Sequence, residues 1–253
     1  MDAETAQILS KINKGFYQAY GASFSETRQA PWPGWRLCLD RVKDVWAGKE
    51  ALSVFDLACG NLRFESFLAS ALPDAAVIFY AVDDCDGMVP AIPSVHYQSL
   101  DVLDVLQQGL SLGGRLAAPA CDLSVSFGFM HHVPGQELRK EVLEGLVGKT
   151  RPQGYAIVSF WQFLNDAALG EKARAAHGHA LEGLGLQGRG LDEGDYLLGW
   201  KNIPGAYRYC HSFSESDIDQ LAASVAGKAA VAARFTSDGR TGNLNTYLIL
   251  KAR

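Results

Sequence analysis

The chain has 253 residues, 48% of them hydrophobic and 20% charged, with a formal net charge of −5 and a pI near 5.7. A chain of this size buries one sizeable core, and the composition is ordinary for a globular domain. The acidic balance lacks the overall basic character that phosphate contacts usually bring, although net charge says nothing about distribution. Met1-Asp2-Ala3-Glu4-Thr5 opens the chain without a basic segment leading into an apolar run. No apolar stretch approaches the roughly 20 residues that span a bilayer, so the expectation is a cytoplasmic protein with no membrane contact. The five cysteines (Cys38, Cys59, Cys85, Cys121, Cys210) form no Cys-x-x-Cys pair. Neither a metal site nor a disulfide framework is expected from them.

In chain order, Ile8, Leu9, Ile12, Phe16 and Tyr20 recur at helical spacing. Pro31-Trp32-Pro33-Gly34 then breaks the chain, and residues 35 to 46 predict a second helix. Residues 1–50 are therefore expected to form a helical lid, and 51–253 the main domain. Strands are expected over Leu52 to Leu57, Ala75 to Val82, Val95 to Gln98, Leu123 to Phe129 and Tyr155 to Trp161. Helices are expected between them, at about Asn61 to Leu72, through Val105 and Leu106, and over Gln136 to Lys149. Such alternation implies parallel pairing and a doubly wound sheet. The stretch from about 165 to 207 breaks the rhythm and reads as an insertion before a last helix, Glu215 to Val225. Ala229 to Phe235 and Leu244 to Leu250, joined by a turn-rich segment, predict a terminal β-hairpin. The outline is α/β and Rossmann-like: a mostly parallel seven-stranded sheet, helices on both faces, closed by that hairpin.

In such a sheet a nucleoside ligand binds beyond the carboxyl ends of the strands. The first strand runs into Asp56-Leu57-Ala58-Cys59-Gly60-Asn61-Leu62-Arg63-Phe64. Gly60 lets the backbone approach a ligand, and the following helix start offers N–H groups to an anion. With S-adenosylmethionine that anion is the methionine carboxylate, and Asp56 can hold the ammonium group. Asp83 ends the second strand, where it can accept from both ribose hydroxyls, and Asp101 follows the third, within reach of the adenine amino group. The alternative for either acid is a helix N-cap. Ala58, Asn61, Arg63, Asp84 and Leu100 complete the expected cofactor loops, with Phe127 and Arg28 beside them. A dinucleotide is disfavoured, because Leu62 and Phe64 stand where Gly-x-Gly-x-x-Gly requires small residues.

Four segments resemble the methyltransferase family that acts on tRNA wobble uridines bearing a carboxymethyl group, a family with a eukaryotic stand-alone enzyme and an AlkB-fusion form. They are Phe24-Ser25-Glu26-Thr27-Arg28 with Trp32-Pro33, the Asp56-to-Phe64 loop, Ser126 to Val133 with its His131-His132 pair, and Gly194 to Trp200 followed by Arg208-Tyr209-Cys210-His211-Ser212-Phe213. The sequence departs from the family pattern at Ala58 and Leu62, which replace glycines, and at Cys210, which replaces a tyrosine. The resemblance implies S-adenosyl-L-methionine as cofactor, tRNA as acceptor and a small zinc-binding activator protein as partner. The alternatives are a small-molecule O- or N-methyltransferase and a non-catalytic binding module.

Methyl transfer from a sulfonium is an in-line displacement that depends mainly on alignment. A carboxylate acceptor is already ionised, so it needs a clamp rather than a strong base. Arg208 is the expected clamp, with a salt bridge as its alternative. His131 or His132 would orient the acceptor, or else cap and pack. His211 would line the same pocket, or else sit as a hydrogen-bonded core histidine. Arg28 and Trp32 would close the site from the N-terminal side. His177 and His179 read as solvated surface.

Overall fold

The structure is a computed structural model that describes residues 1–85, 87, 92 and 94–253. The elements run α1 (Ala3–Glu26), α2 (Pro33–Arg41), β1 (Ala51–Leu57), α3 (Arg63–Ala71), β2 (Ala76–Asp83), β3 (Val95–Ser99), α4 (Val102–Gln107) and β4 (Cys121–Ser126). They continue with α5 (Gln136–Gly148), β5 (Thr150–Trp161), α6 (Ala167–Gly183), β6 (Asp195–Gly199), β7 (Tyr207–His211), α7 (Glu215–Ser224), β8 (Ala229–Ser237) and β9 (Asn245–Ala252).

Seven strands form one sheet in the order β3-β2-β1-β4-β5-β9-β8. Pairings from β3 through β5 are parallel, and β9 inserts antiparallel between β5 and β8. The order reverses direction at β1, where β2 lies on one side and β4 on the other. A crevice opens at such a switch point, outside the carboxyl ends of the strands.

The central strands β1, β4, β5 and β9 are largely buried on both faces, which is why they read as near-continuous apolar runs. Successive side chains alternate between two cores. Leu52, Val54, Leu123, Val125, Ile157 and Ile249 face α2 and α3 with Trp35, Phe64 and Leu68. Phe55, Leu57, Val158, Phe160, Leu248 and Leu250 face α4, α5 and α7. Asp56 therefore points to the α3 side of the sheet.

Several expected boundaries shift for physical reasons. The second helix stops at Arg41 and gives way to a short 3-10 turn, Lys43–Val45. The fourth strand ends at Ser126, and Gly128 follows with φ +74°. The insertion extends to His211 rather than 207: α6 packs on β6, and β6 pairs antiparallel with β7 in a separate two-stranded sheet. That small sheet docks on α1. Asn13 on α1 reaches the β7 backbone, its Oδ1 accepting from the Tyr209 N–H at 2.7 Å and its Nδ2 donating to the Tyr209 carbonyl at 3.1 Å. Leu9, Leu197 and the fully buried Tyr209 pack around this contact. Under the sheet's other end, Asp195 gathers the Tyr209 hydroxyl at 2.7 Å, His211 Nδ1 at 2.7 Å and Arg139 at 3.4 Å.

Candidate functional site

A cleft of about 730 Å³ opens beyond β1, β2 and β4. Its first wall is the loop after β1. Ala58, Gly60 and Leu62 all take left-handed backbone conformations, with φ of 67°, 57° and 56°. These alternating positive angles fold the loop back toward β2, where the Ala58 and Cys59 N–H groups donate to the Val82 carbonyl at 2.8 and 3.1 Å. A Cβ on Gly60 would meet no atom within 4 Å, so the loop is open on its cleft side. Leu62, at the N-cap of α3, supplies no side-chain acceptor, and the first-turn N–H groups of α3 are left for an anion.

Carboxylates line the same wall. Asp56 ends β1 with 3% exposure, and its Oδ1 has no hydrogen-bond partner. Burial, then the neighbouring Glu65, pushes its carboxyl well above the usual range. Asp83 accepts from the Gly60 N–H at 2.8 Å and the Cys85 N–H at 3.0 Å, one on each oxygen. An ionised carboxylate offers about four lone-pair sites, so each oxygen keeps one for a ligand hydroxyl. Burial raises Asp83 and, nearby, Asp84. Leu100 donates its N–H to the Asp83 carbonyl at 2.9 Å, holding the β3 loop beside β2. Asp101 takes the N-cap alternative: Oδ1 caps α4 at 2.9 Å from the Asp104 N–H and Oδ2 pairs with Lys14 at 2.7 Å, while the residue borders the cleft. The residues fit a ligand with an amino-acid end, carrying ammonium and carboxylate together, and a ribose beyond it.

The second wall carries positive charge. Arg208, on β7, is 6% exposed, yet its Nε and Nη1 lack hydrogen-bond partners. Phe16, Phe24 and Trp200 surround its guanidinium at 5.4, 5.2 and 5.6 Å. Arg28 lies over the Phe24 ring at 3.4 Å and bonds the Thr27 hydroxyl at 2.7 Å. Burial, then Arg208, lowers its pKa to about 10. Among the described residues no carboxylate pairs with either arginine. A buried cation, Arg208, and a half-buried one, Arg28, without a counter-ion could take an anion, since desolvated charge is costly unless paired.

His131 and His132 follow β4 in a short 3-10 turn. His132 donates from Nδ1 to the Tyr209 carbonyl at 3.0 Å, which fixes the tautomer, and its Nε2 then accepts from the Tyr17 hydroxyl at 2.7 Å. Burial, then Arg208, holds His132 down to about 3, and burial with His132 lowers His131 well below the usual range. Both rings stay neutral near pH 7. His131 packs on Trp161 at 5.0 Å between centroids and leaves Nδ1 without a partner. His131, His132 and Cys210 converge, but both nitrogens of His132 are engaged and two arginines stand close by, an arrangement unsuited to a cation.

The cleft thus brings together Asp56, Ala58, Gly60, Asn61, Arg63, Asp83, Asp84, Leu100, Asp101 and Phe127 with Arg28, His131, His132 and Arg208. Asn61 joins the loop to α1 through Ser25 Oγ at 2.7 Å, and Arg63 reaches the Ala30 carbonyl at 3.2 Å beside Trp32. Phe127 packs edge-on against Phe64 at 4.9 Å. His211 is the exception. Its ring is 1% exposed, bound to Asp195 and packed on Phe213, so it serves the core of the insertion instead of the cleft. His177 is likewise no solvated residue, because its Nδ1 accepts from the Leu197 N–H at 3.1 Å. Three contributors were missed in the sequence: Tyr17, Glu65 and Asp238. Only Glu65 left a signal, as an acid on the apolar face of α3.

No family model matches the chain. The fold is that of the Rossmann-like methyltransferases. An S-adenosylmethionine-dependent methyltransferase of Methanosarcina mazei matches 81% of the chain and 93% of its own length at a TM-score of 0.55 and 15% identity. CalS10, an amino pentose methyltransferase of Micromonospora echinaspora, matches 93% and 97% at a TM-score of 0.54 and 11% identity. In sequence, the chain is 24% identical over 160 residues to the tRNA (carboxymethyluridine(34)-5-O)-methyltransferase ALKBH8 of Macaca fascicularis, covering 63% of this chain and 21% of that protein. It is 26% identical over 145 residues to the Saccharomyces cerevisiae enzyme of the same activity, covering 57% and 46%. The chain thus spans less than half the length of these curated relatives.

Proposed function

We propose that the chain transfers a methyl group from S-adenosylmethionine to a carboxylate, with a carboxymethylated wobble uridine of tRNA as acceptor. The observation that carries this reading is the pair of cations without a counter-ion, Arg28 and Arg208, facing a row of acids headed by the buried Asp56 across one cleft. The acids suit the ammonium and ribose of the cofactor; the arginines suit an anionic acceptor, which guanidinium grips bidentately. The enzyme's contribution is alignment and exclusion of water, which α1 and the Trp32 segment provide as a lid over residues 51–253. The two neutral histidines suit a reaction in which no proton leaves the acceptor: His132 positions Tyr17, and His131 presents an unpartnered nitrogen. The relatives' tRNA activity supports the acceptor, and the same reading carries a cytoplasmic site of action and a small zinc-binding activator as partner. Among the described residues no helix is long and apolar enough to cross a membrane.

The net charge of −5 favours a second reading, a small-molecule acid as acceptor. One assay separates the two. Methyl-labelled S-adenosylmethionine is offered with total tRNA and, separately, with a metabolite extract. Label in tRNA that mild alkali releases is the expected result. Label confined to the extract would move the assignment to the second reading, and alkali-stable label in either would sink the ester.

A further inference from the structure

Glu65 sits in the first turn of α3 with 2% exposure, and neither of its side-chain oxygens has a hydrogen-bond partner. It stands against Asp56, whose Oδ1 is equally unpartnered and which borders the cleft. No cation among the described residues is ion-paired to either acid. Arg63, two residues earlier, turns its guanidinium toward the Ala30 carbonyl instead. The other titratable groups that reach the pair are Asp83 from β2 and the Cys59 thiol from the intervening loop, and neither supplies positive charge.

Two carboxylates so close in a dry, cation-free site cannot both ionise at neutral pH, because burial and mutual repulsion add. The loose proton belongs to the pair as a unit. We infer that Asp56 and Glu65 share one proton when no ligand is bound, and that an ammonium group arriving at Asp56 drives this proton into solvent. Glu65 is then a positioning residue that acts through Asp56 and makes cofactor affinity depend on pH. The direction follows from the charges. Below the pair's upper titration the incoming cation must displace a proton, and above it the site is already dianionic. Burial pushes the Glu65 carboxyl to about 7, and burial with the neighbouring Glu65 holds Asp56 well above its usual range, so the dependence lies at neutral pH and upward. This inference rests on the cofactor reading, since it needs an ammonium-bearing ligand in the cradle.

S-adenosylhomocysteine carries the same ammonium end, and its binding is measured by calorimetry in buffers of different ionisation enthalpy. The wild type should release a substantial fraction of a proton at pH 7, and its affinity should rise from pH 6 to pH 8 by about tenfold more than that of Glu65→Gln. The amide of Glu65→Gln fills the same space and donates to Asp56, which then stays ionised throughout. Equal proton release and equal pH profiles in the two proteins would overturn the inference while leaving the cofactor reading intact. Absence of binding in both would overturn both. A carbon-13 carboxyl titration of the unliganded wild type gives a second readout that needs no variant. One carboxyl titrating near neutrality supports the shared proton, and all carboxyls titrating in the ordinary acid range overturn it.

Discussion

Ala58 and Leu62 occupy the two loop positions where the resembled family carries glycine, and both keep the glycine-like backbone at φ 67° and 56°. An L-residue in this region costs about 1–3 kcal/mol. The two positions differ in what offsets that cost. Leu62 is fully buried beside Cys59 and Ala81, so its side chain repays the strain by packing. Ala58 has only a methyl. Ala58→Gly is therefore expected to raise the melting temperature or leave it unchanged; a clear fall in a thermal melt would show that the methyl matters more than the strain. Leu62→Gly should lower it strongly. At this scale the sequence was legible wherever a residue's position on a strand end determines its direction, as for Asp56 and Asp83. It was not legible for Tyr17 or Asp238, whose importance depends on partners 115 residues away or on a hairpin turn. Nor did the motif around His211 reveal that Asp195 would claim the ring.

Among the elements, two sets of buried hydrogen bonds attach the N-terminal helices to the rest of the chain. One is the Asn13 clamp on β7. The other is Asp238 in the β8–β9 turn, which accepts from the Gly34 N–H of α2 at 2.9 Å, from Asn245 at 2.8 Å and from the Tyr247 hydroxyl. Here α2 crosses the sheet so closely that a Cβ on Gly34 would lie 2.2 Å from the Tyr247 ring. Gly34→Ala should therefore destabilise the chain by about 1–3 kcal/mol, the range for overpacking a filled core. Chemical denaturation measures this, and an unchanged midpoint would contradict the close approach. The His131–His132 turn adds a pH dependence. Both histidines are held below their unfolded value, so below about pH 6.5 the unfolded chain binds protons that the native chain refuses. Stability contributed by the neutral rings is full above that pH and lost as pH falls toward about 3 for His132. The melting temperature of His132→Gln should vary less with pH over that interval than that of the wild type; identical slopes would remove His132 from the account. The βα rhythm up to β5 could be read from apolar runs. The insertion showed only as a break in that rhythm, and its own elements could not be read, because α6 and its two-stranded sheet bury their faces on α1 and on each other, with no strand of the main sheet to impose a period.

For the molecule as a whole, the sheet order with its reversal at β1 places every strand-end acid at one rim, and the insertion brings Arg208 to the same rim from the far end of the sequence. The net charge of −5 concealed this division, since acids crowd one wall of the cleft and unpaired arginines the other. The central claim is that these walls serve two ligands separately. Calorimetry with S-adenosylhomocysteine on the wild type, Asp83→Asn and Arg208→Ala tests it most directly. The wild type and Arg208→Ala should bind alike, while Asp83→Asn, which leaves a ribose hydroxyl or a loop N–H without its acceptor, should bind more weakly by about 1–3 kcal/mol. Equal losses in both variants, or no binding by the wild type, would contradict it.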